Sequence, residues 1–152
     1  MKKTISIIDY GAGNLFSVLR GISRAGEYGN IVSSEKEIIN SDYLILPGVG
    51  AFGDGISQLN NRGLFSPIKE FVKKGKPLLG ICLGTQLLHS FGNEFGRFNG
   101  LDLIKGEVVK LPENENLPIP HVGWSKIQID RSDKGSILIN VQDNDYFYFT
   151  HS

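Results

Sequence analysis

The chain has a single cysteine, Cys82, in 152 residues. An intramolecular disulfide is therefore excluded, and this cysteine usage fits a reducing compartment. Metal ligands are equally sparse. The 3 histidines are scattered and form no cluster with that cysteine, so no metal site is expected. Charge of either sign is not in excess: 16 Lys and Arg balance 16 Asp and Glu, for a formal net charge of zero. That removes the electrostatic argument for a nucleic-acid or anionic-membrane partner. No apolar run approaches the length of a membrane span. Met1-Lys2-Lys3-Thr4 leads straight into a strand pattern, without the long apolar stretch and small-residue cleavage site of a signal peptide. The expectation is a soluble, cytoplasmic protein with no cofactor, no nucleic acid and no membrane. No repeat and no clear domain boundary is visible, and the length suits one domain over residues 1–152 with a real core.

Glycine, by contrast, is abundant at 19 residues, and much of it falls in turns. The most informative of these surrounds the cysteine: Gly80-Ile81-Cys82-Leu83-Gly84-Thr85-Gln86-Leu87-Leu88. The apolar Pro77-Leu78-Leu79 leads in, and a helix-like run over 86–91 leads out. This is the cysteine form of the Gly-x-Ser-x-Gly nucleophile elbow, in which a strand ends, the chain turns sharply and a helix begins. Glycines two residues to either side remove the Cβ atoms that would block so tight a turn. The thiol then lies at a helix N-terminus, whose partial positive charge favours thiolate. A buried, inert cysteine is the alternative, since free cysteine packs as a small hydrophobe. The paired glycines favour a nucleophile.

Upstream, residues 4–9 read as a buried strand, and Tyr10-Gly11-Ala12-Gly13-Asn14 as a turn whose Asn14 caps a helix over 15–25. Residues 28–32 form a second strand. Ser34 and Glu37 give a capping box before a short helix. Residues 43–46 form a third strand, ending at Pro47-Gly48-Val49-Gly50. Helices near 54–60 and 64–74 follow, the second closed by Gly75. Four strands alternating with helices predict a mostly parallel central sheet with flanking helices, an α/β fold with flavodoxin-like layers. A ligand is expected beyond the C-terminal strand ends. The turns at 11–14 and 47–50 and Cys82 all fall there. After 91, residues 106–111, 125–129, 136–139 and 146–150 read as strands in mixed or antiparallel pairing, packed on the same sheet, with a proline-bearing loop over 112–120.

A thiolate attacking an amide or ester carbonyl needs an oxyanion hole. One donor is the backbone N–H of Leu83, the residue after the nucleophile; the second is expected from the loop after the third strand. There Gly48 and Gly50 let the peptide turn and aim the Val49 N–H inward. A base is required as well, normally a histidine oriented by a carboxylate. His89 falls on the helix after Cys82 and points away, His121 falls in a surface loop, and His151 follows a strand. None has a convincing carboxylate partner. Gly11-Ala12-Gly13 invites a dinucleotide reading, but Phe16 stands where the fingerprint needs a third glycine.

Together the elbow, Pro47-Gly48-Val49-Gly50-Ala51-Phe52, Asp9-Tyr10-Gly11-Ala12-Gly13-Asn14 and Pro120-His121-Val122-Gly123-Trp124 resemble the class I (triad) glutamine amidotransferases. The form they resemble is the glutaminase subunits of imidazole glycerol phosphate synthases. The elbow alone fits any triad amidotransferase; the four segments in order are specific and span nearly the whole chain. The resemblance implies that Cys82 attacks the side-chain amide of L-glutamine, that Leu83, Val49 and Gly50 form the oxyanion hole, and that Gly48 and Gln86 help hold the substrate. His151-Ser152 matches the start of a segment that holds its amino-acid end. It also implies a (β/α)8-barrel synthase subunit as heterodimer partner, receiving ammonia through a tunnel, with Tyr10, Asn14, His121 and Trp124 on the docking face. Three departures stand out. Thr85 replaces a common methionine, Ser125 replaces an asparagine, and the His-Pro-Glu motif that supplies the family's base and orienting carboxylate is absent from the sequence. A domain incomplete at its C-terminal end is expected on that ground. Three other readings remain. A paralogous subunit could feed surface-sugar amidation, weakly supported by Ser90-Phe91-Gly92-Asn93-Glu94-Phe95-Gly96. The chain could be a non-catalytic docking subunit. It could also be another cysteine hydrolase or thiol-dependent stress protein of similar fold.

Overall fold

A computed structural model describes residues 3–112, 118–130 and 137–152. They fall into two compact units, Met1–Val109 and Lys110–Ser152. Among the described residues no helix is long and apolar enough to cross a membrane.

The first unit is built on a four-stranded parallel sheet of order β2-β1-β3-β4, with β1 Ile5–Ile8, β2 Gly29–Val32, β3 Tyr43–Leu46 and β4 Leu78–Gly80. Successive side chains of a strand point to opposite faces; helices pack on both faces of the inner strands, while Leu79 of β4, in register with Ile45, is 42% exposed. Ile7 and Ile45 pack with Ile22, Val18 and Leu19 of α1 Leu15–Arg24. Ile8, Leu44 and Leu46 pack in the main core with Ile38, Phe52, Leu59, Ile68, Phe71 and Leu87. Those residues come from α2 Glu35–Asn40, α3 Phe52–Asn61, α4 Phe65–Lys73 and α5 Leu83–Leu87. The polar Ser6 is buried in β1 without penalty: its hydroxyl donates to Asn30 at 2.9 Å and accepts from Ser41 at 2.8 Å.

The expected caps are present. The Asn14 side chain accepts from the Ser17 N–H at 3.1 Å, Ser34 and Glu37 close a reciprocal capping box, and the Gly75 N–H ends α4 on the Val72 carbonyl at 2.9 Å with φ +76°. The α3 helix starts differently. Its N-cap, Ala51, has no side chain to cap with, and the Glu94 carboxylate accepts the Phe52 N–H at 2.9 Å instead.

The helical reading of 86–91 is corrected. The α5 helix ends at Leu87, and β5 His89–Gly92 follows it in a three-stranded sheet β6-β5-β7 with β6 Phe98–Asn99 and β7 Ile104–Val108. The carbonyls that would have continued the helix are taken by a later segment. Leu87, Leu88, His89 and Ser90 accept from Leu101, Leu103, Asp102 and Gly100 at 2.8–3.1 Å. Tertiary pairing overrides local helical periodicity here. His89 therefore stands on a strand, with Nδ1 3.2 Å from the Thr85 carbonyl oxygen.

The second unit contains an antiparallel pair, β8 His121–Lys126 and β9 Tyr146–His151. His121 thus lies in a strand and not a loop, and the strand expected at 125–129 begins at His121 and ends at Lys126. The later strands do not extend the central sheet: β5, β6 and β7 form one separate sheet, and β8 and β9 another. Of the strand expected at 136–139, residues 137–139 lie in a turn, and residue 136 lies outside the described residues, as do 113–117 of the expected loop.

Candidate active site

The elbow forms as its glycines require. Cys82 sits between β4 and α5 at φ 54° and ψ −121°, a left-handed conformation that a side-chain-bearing residue adopts only under strain. The turn is closed by Gly84 N–H donating to the Ile81 carbonyl at 3.0 Å and Thr85 N–H to the Cys82 carbonyl at 2.9 Å. The Ile81 N–H extends the sheet to the Leu46 carbonyl at 2.9 Å, so the elbow is pinned to the end of β3. Any Cβ at Gly84 would collide with the Leu46 carbonyl oxygen, and one at Gly80 would lie 2.6 Å from the Thr85 Cα. The thiol is free and exposed. Leu83, the first residue of α5, has an N–H outside the helix's own hydrogen-bond ladder.

Beside the elbow runs the segment after β3. Gly48 touches it: a Cβ there would meet the Leu83 side chain at 2.9 Å, the Gly84 nitrogen at 3.0 Å and the Tyr10 hydroxyl. Val49 is 59% exposed, and Gly50 takes φ +99° with open space around it. Among the described residues the Val49 N–H makes no hydrogen bond. From the other side, the β1–α1 turn closes in. Gly13, at φ +102°, has the Gly48 nitrogen 3.3 Å from the place of its missing Cβ. A surface depression of about 510 Å³ is lined by Gly13, Asn14, Leu15, Phe16 and Val49. Gly13 thus serves close packing against the segment after β3, whereas a Cβ at Gly11 would meet the Arg62 guanidinium. Gln86 lies half-buried one turn into α5, its N–H 3.3 Å from the Cys82 carbonyl.

Tyr10 is corrected. Expected on a docking face, it is fully buried, and its hydroxyl donates to the Pro47 carbonyl at 2.8 Å. Burial, and next the negative charge at Cys82, push its phenol up to about 12. It lies beneath the site. Asn14 is exposed.

The remaining sequence candidates lie in the second unit. His121 and His151 are cross-strand partners with Nδ1 and Nε2 2.8 Å apart, and His121 Nε2 is 2.9 Å from the Ser125 hydroxyl. His121 stacks on Phe149 with ring centroids 5.4 Å apart. Trp124 is 68% exposed and meets Tyr148 edge-on at 5.6 Å. Ser152 follows β9 and is exposed. Among the described residues no side chain hydrogen-bonds to the Cys82 sulfur, and no group of His, Cys, Asp and Glu could hold a metal ion.

Sequence reasoning missed two parts of this arrangement. One is Tyr10 as a buried support, which its neighbouring glycines disguise as an exposed turn. The other is Glu94, which reaches back 42 positions to the start of α3 and for which the sequence holds no local signal.

Comparison with known proteins agrees with this geometry. The model of the family described as glutamine amidotransferase class-I matches residues 6–152. The imidazole glycerol phosphate synthase subunit HisH 1 of Legionella pneumophila (strain Paris) is 44% identical over 98% of this chain and 73% of its own length. The HisH subunit of Caldanaerobacter subterraneus subsp. tengcongensis is 47% identical over 97% of this chain and 71% of its own. A crystal structure of a glutamine amidotransferase superposes with a TM-score of 0.69 at 14% identity, covering 96% of this chain and 70% of that one, which supports the fold. The chain belongs to the class I glutamine amidotransferases and, within them, to the family of the HisH subunits of imidazole glycerol phosphate synthase.

Proposed function

We propose that the protein is the glutaminase subunit of an imidazole glycerol phosphate synthase, with Cys82 as its nucleophile. It hydrolyses L-glutamine to glutamate and ammonia. The ammonia is delivered to a (β/α)8-barrel synthase subunit that makes imidazole glycerol phosphate and aminoimidazole carboxamide ribotide for histidine biosynthesis. The observation that carries this reading is the elbow itself: a strained, exposed cysteine between two glycines that nothing but glycine could replace.

The geometry supports the following chemistry. The Cys82 thiolate attacks the amide carbon of glutamine, the C–S bond forms, and the carbonyl electron pair moves to oxygen. The Leu83 N–H meets that oxyanion, and the Val49 N–H joins it once the peptide between Gly48 and Gly50 turns inward. Collapse of the intermediate expels ammonia and leaves a thioester, which water hydrolyses to glutamate. The leaving amine must be protonated by a general acid. The family's His-Pro-Glu motif, which supplies it, does not occur in the 152 residues. Gly48 and Gln86 hold the substrate's side chain, and His151 and Ser152 its amino-acid end. Asn14, His121 and Trp124 dock the synthase, in a reducing, cytoplasmic setting.

The test is glutamate release by the protein assembled with its synthase subunit, with and without the synthase's nucleotide ligand. Cys82→Ala is expected to abolish it, a loss of at least about 10³-fold. Unchanged turnover in Cys82→Ala contradicts the assignment.

A further inference from the structure

We infer that Tyr10 is a positioning residue for the oxyanion loop, its hydroxyl fixing the Pro47 end of Pro47-Gly48-Val49-Gly50 so that only the Gly48–Gly50 peptides are free to turn. This rests on the reading above, in which Val49 supplies an oxyanion donor.

The loop is held at both ends and open in the middle. At its start, the fully buried Tyr10 donates its hydroxyl to the Pro47 carbonyl at 2.8 Å. At its end, Glu94 accepts the Phe52 N–H at 2.9 Å and locks the first turn of α3. Between them a Cβ at Gly50 would meet nothing within 4 Å, Val49 is exposed, and the Val49 N–H is unpaired among the described residues. The Tyr10 hydroxyl also occupies the space a Gly48 side chain would need, so it sets where the Gly48 backbone lies against Leu83 and Gly84. A fully buried phenol hydrogen-bonded to that carbonyl favours a single orientation of it. Burial keeps the phenol neutral and donating across the working pH range. A donor held a fraction of an ångström from its productive place loses much of its effect on the transition state.

The test separates the oxyanion hole from the thiol. Glutamate γ-semialdehyde, a glutamine-shaped aldehyde, adds to the Cys82 thiolate to give a hemithioacetal. The C–S bond forms, and the carbonyl oxygen takes the electron pair and then a proton. This adduct uses the oxyanion hole. Iodoacetamide alkylates the same thiol by displacing iodide and does not use it. In the intact protein with its synthase subunit, Tyr10→Phe is expected to melt cooperatively and react with iodoacetamide at close to the wild-type rate. It is expected to bind the aldehyde about tenfold more weakly and to lose about tenfold in kcat with KM for glutamine little changed. Replacing Tyr10 by 4-aminophenylalanine, which keeps a donor of the same size, restores the affinity. Wild-type affinity for the aldehyde in Tyr10→Phe overturns the inference. So does a parallel loss toward both reagents, or a variant that fails to fold, since either makes Tyr10 a support of the whole elbow. A wild-type protein that reacts with iodoacetamide but forms no aldehyde adduct removes the oxyanion reading on which the inference stands.

Discussion

At Cys82 the backbone stores strain. A non-glycine residue at φ 54° and ψ −121° costs about 1–3 kcal/mol. Relieving it yields a stability difference that the contacts of the folded state do not reveal. Cys82→Gly is expected to be inactive yet about 1 kcal/mol more stable than Cys82→Ala, measured by urea unfolding. Equal stabilities would mean the elbow is unstrained. Tyr10 gives a second residue-scale signature. Its phenol stays neutral in the folded protein until about pH 12, whereas an unfolded tyrosine ionises near pH 10. Its contribution is fully present below pH 10 and disappears as pH rises through 12, because the unfolded chain loses its proton first. Relative to Tyr10→Phe, the wild type is expected to lose about 2 kcal/mol of stability between pH 9 and pH 12. Parallel pH profiles for the two proteins would show that the hydroxyl is not buried.

Among the elements, the strand–elbow–helix unit from β4 to α5 depends most on single atoms. Gly84→Ala puts a methyl group onto the Leu46 carbonyl oxygen, and the backbone there has no slack because Leu46 is also bonded to Ile81. A loss of about 3 kcal/mol or more in denaturant unfolding is expected, and a cost below about 1 kcal/mol would contradict the geometry. This unit was also the most legible in the sequence, because glycine spacing around one cysteine is a local signal. The caps at Asn14 and Ser34 and the stop at Gly75 were legible for the same reason. Elements set by distant partners were not. Leu87 to Ser90 continue an apolar helical pattern, yet their carbonyls bond to Leu101, Leu103, Asp102 and Gly100, so the chain turns into β5. Ala51 carries no cap, and Glu94 provides one from across the fold. Tyr10 follows a strand and adjoins Gly11, which reads as a surface turn until its hydroxyl is seen to donate to the Pro47 carbonyl.

For the molecule as a whole, Cys82 and the residues proposed to act with it, Leu83, Gln86, Gly48 and Val49, belong to the Met1–Val109 unit, as does Tyr10. His121, Trp124, His151 and Ser152 belong to the Lys110–Ser152 unit. The docking role proposed for Trp124 gives the prediction at this scale. An exposed tryptophan packed edge-on to a tyrosine has the character of an interface anchor. Trp124→Ala is expected to weaken association with the synthase subunit by about tenfold or more while leaving alkylation of Cys82 by iodoacetamide unchanged. Wild-type affinity for the synthase would remove Trp124 from the docking face.

The central claim is that Cys82 is a nucleophile directed at the side chain of glutamine. Its most direct measurement is covalent capture by a glutamine-shaped diazoketone, L-6-diazo-5-oxonorleucine, followed by mass spectrometry of the intact protein and its peptides. The account predicts one equivalent of label, on Cys82, slowed in proportion to added L-glutamine and absent from Cys82→Ala. Labelling that L-glutamine does not slow, or that persists in Cys82→Ala, would contradict it.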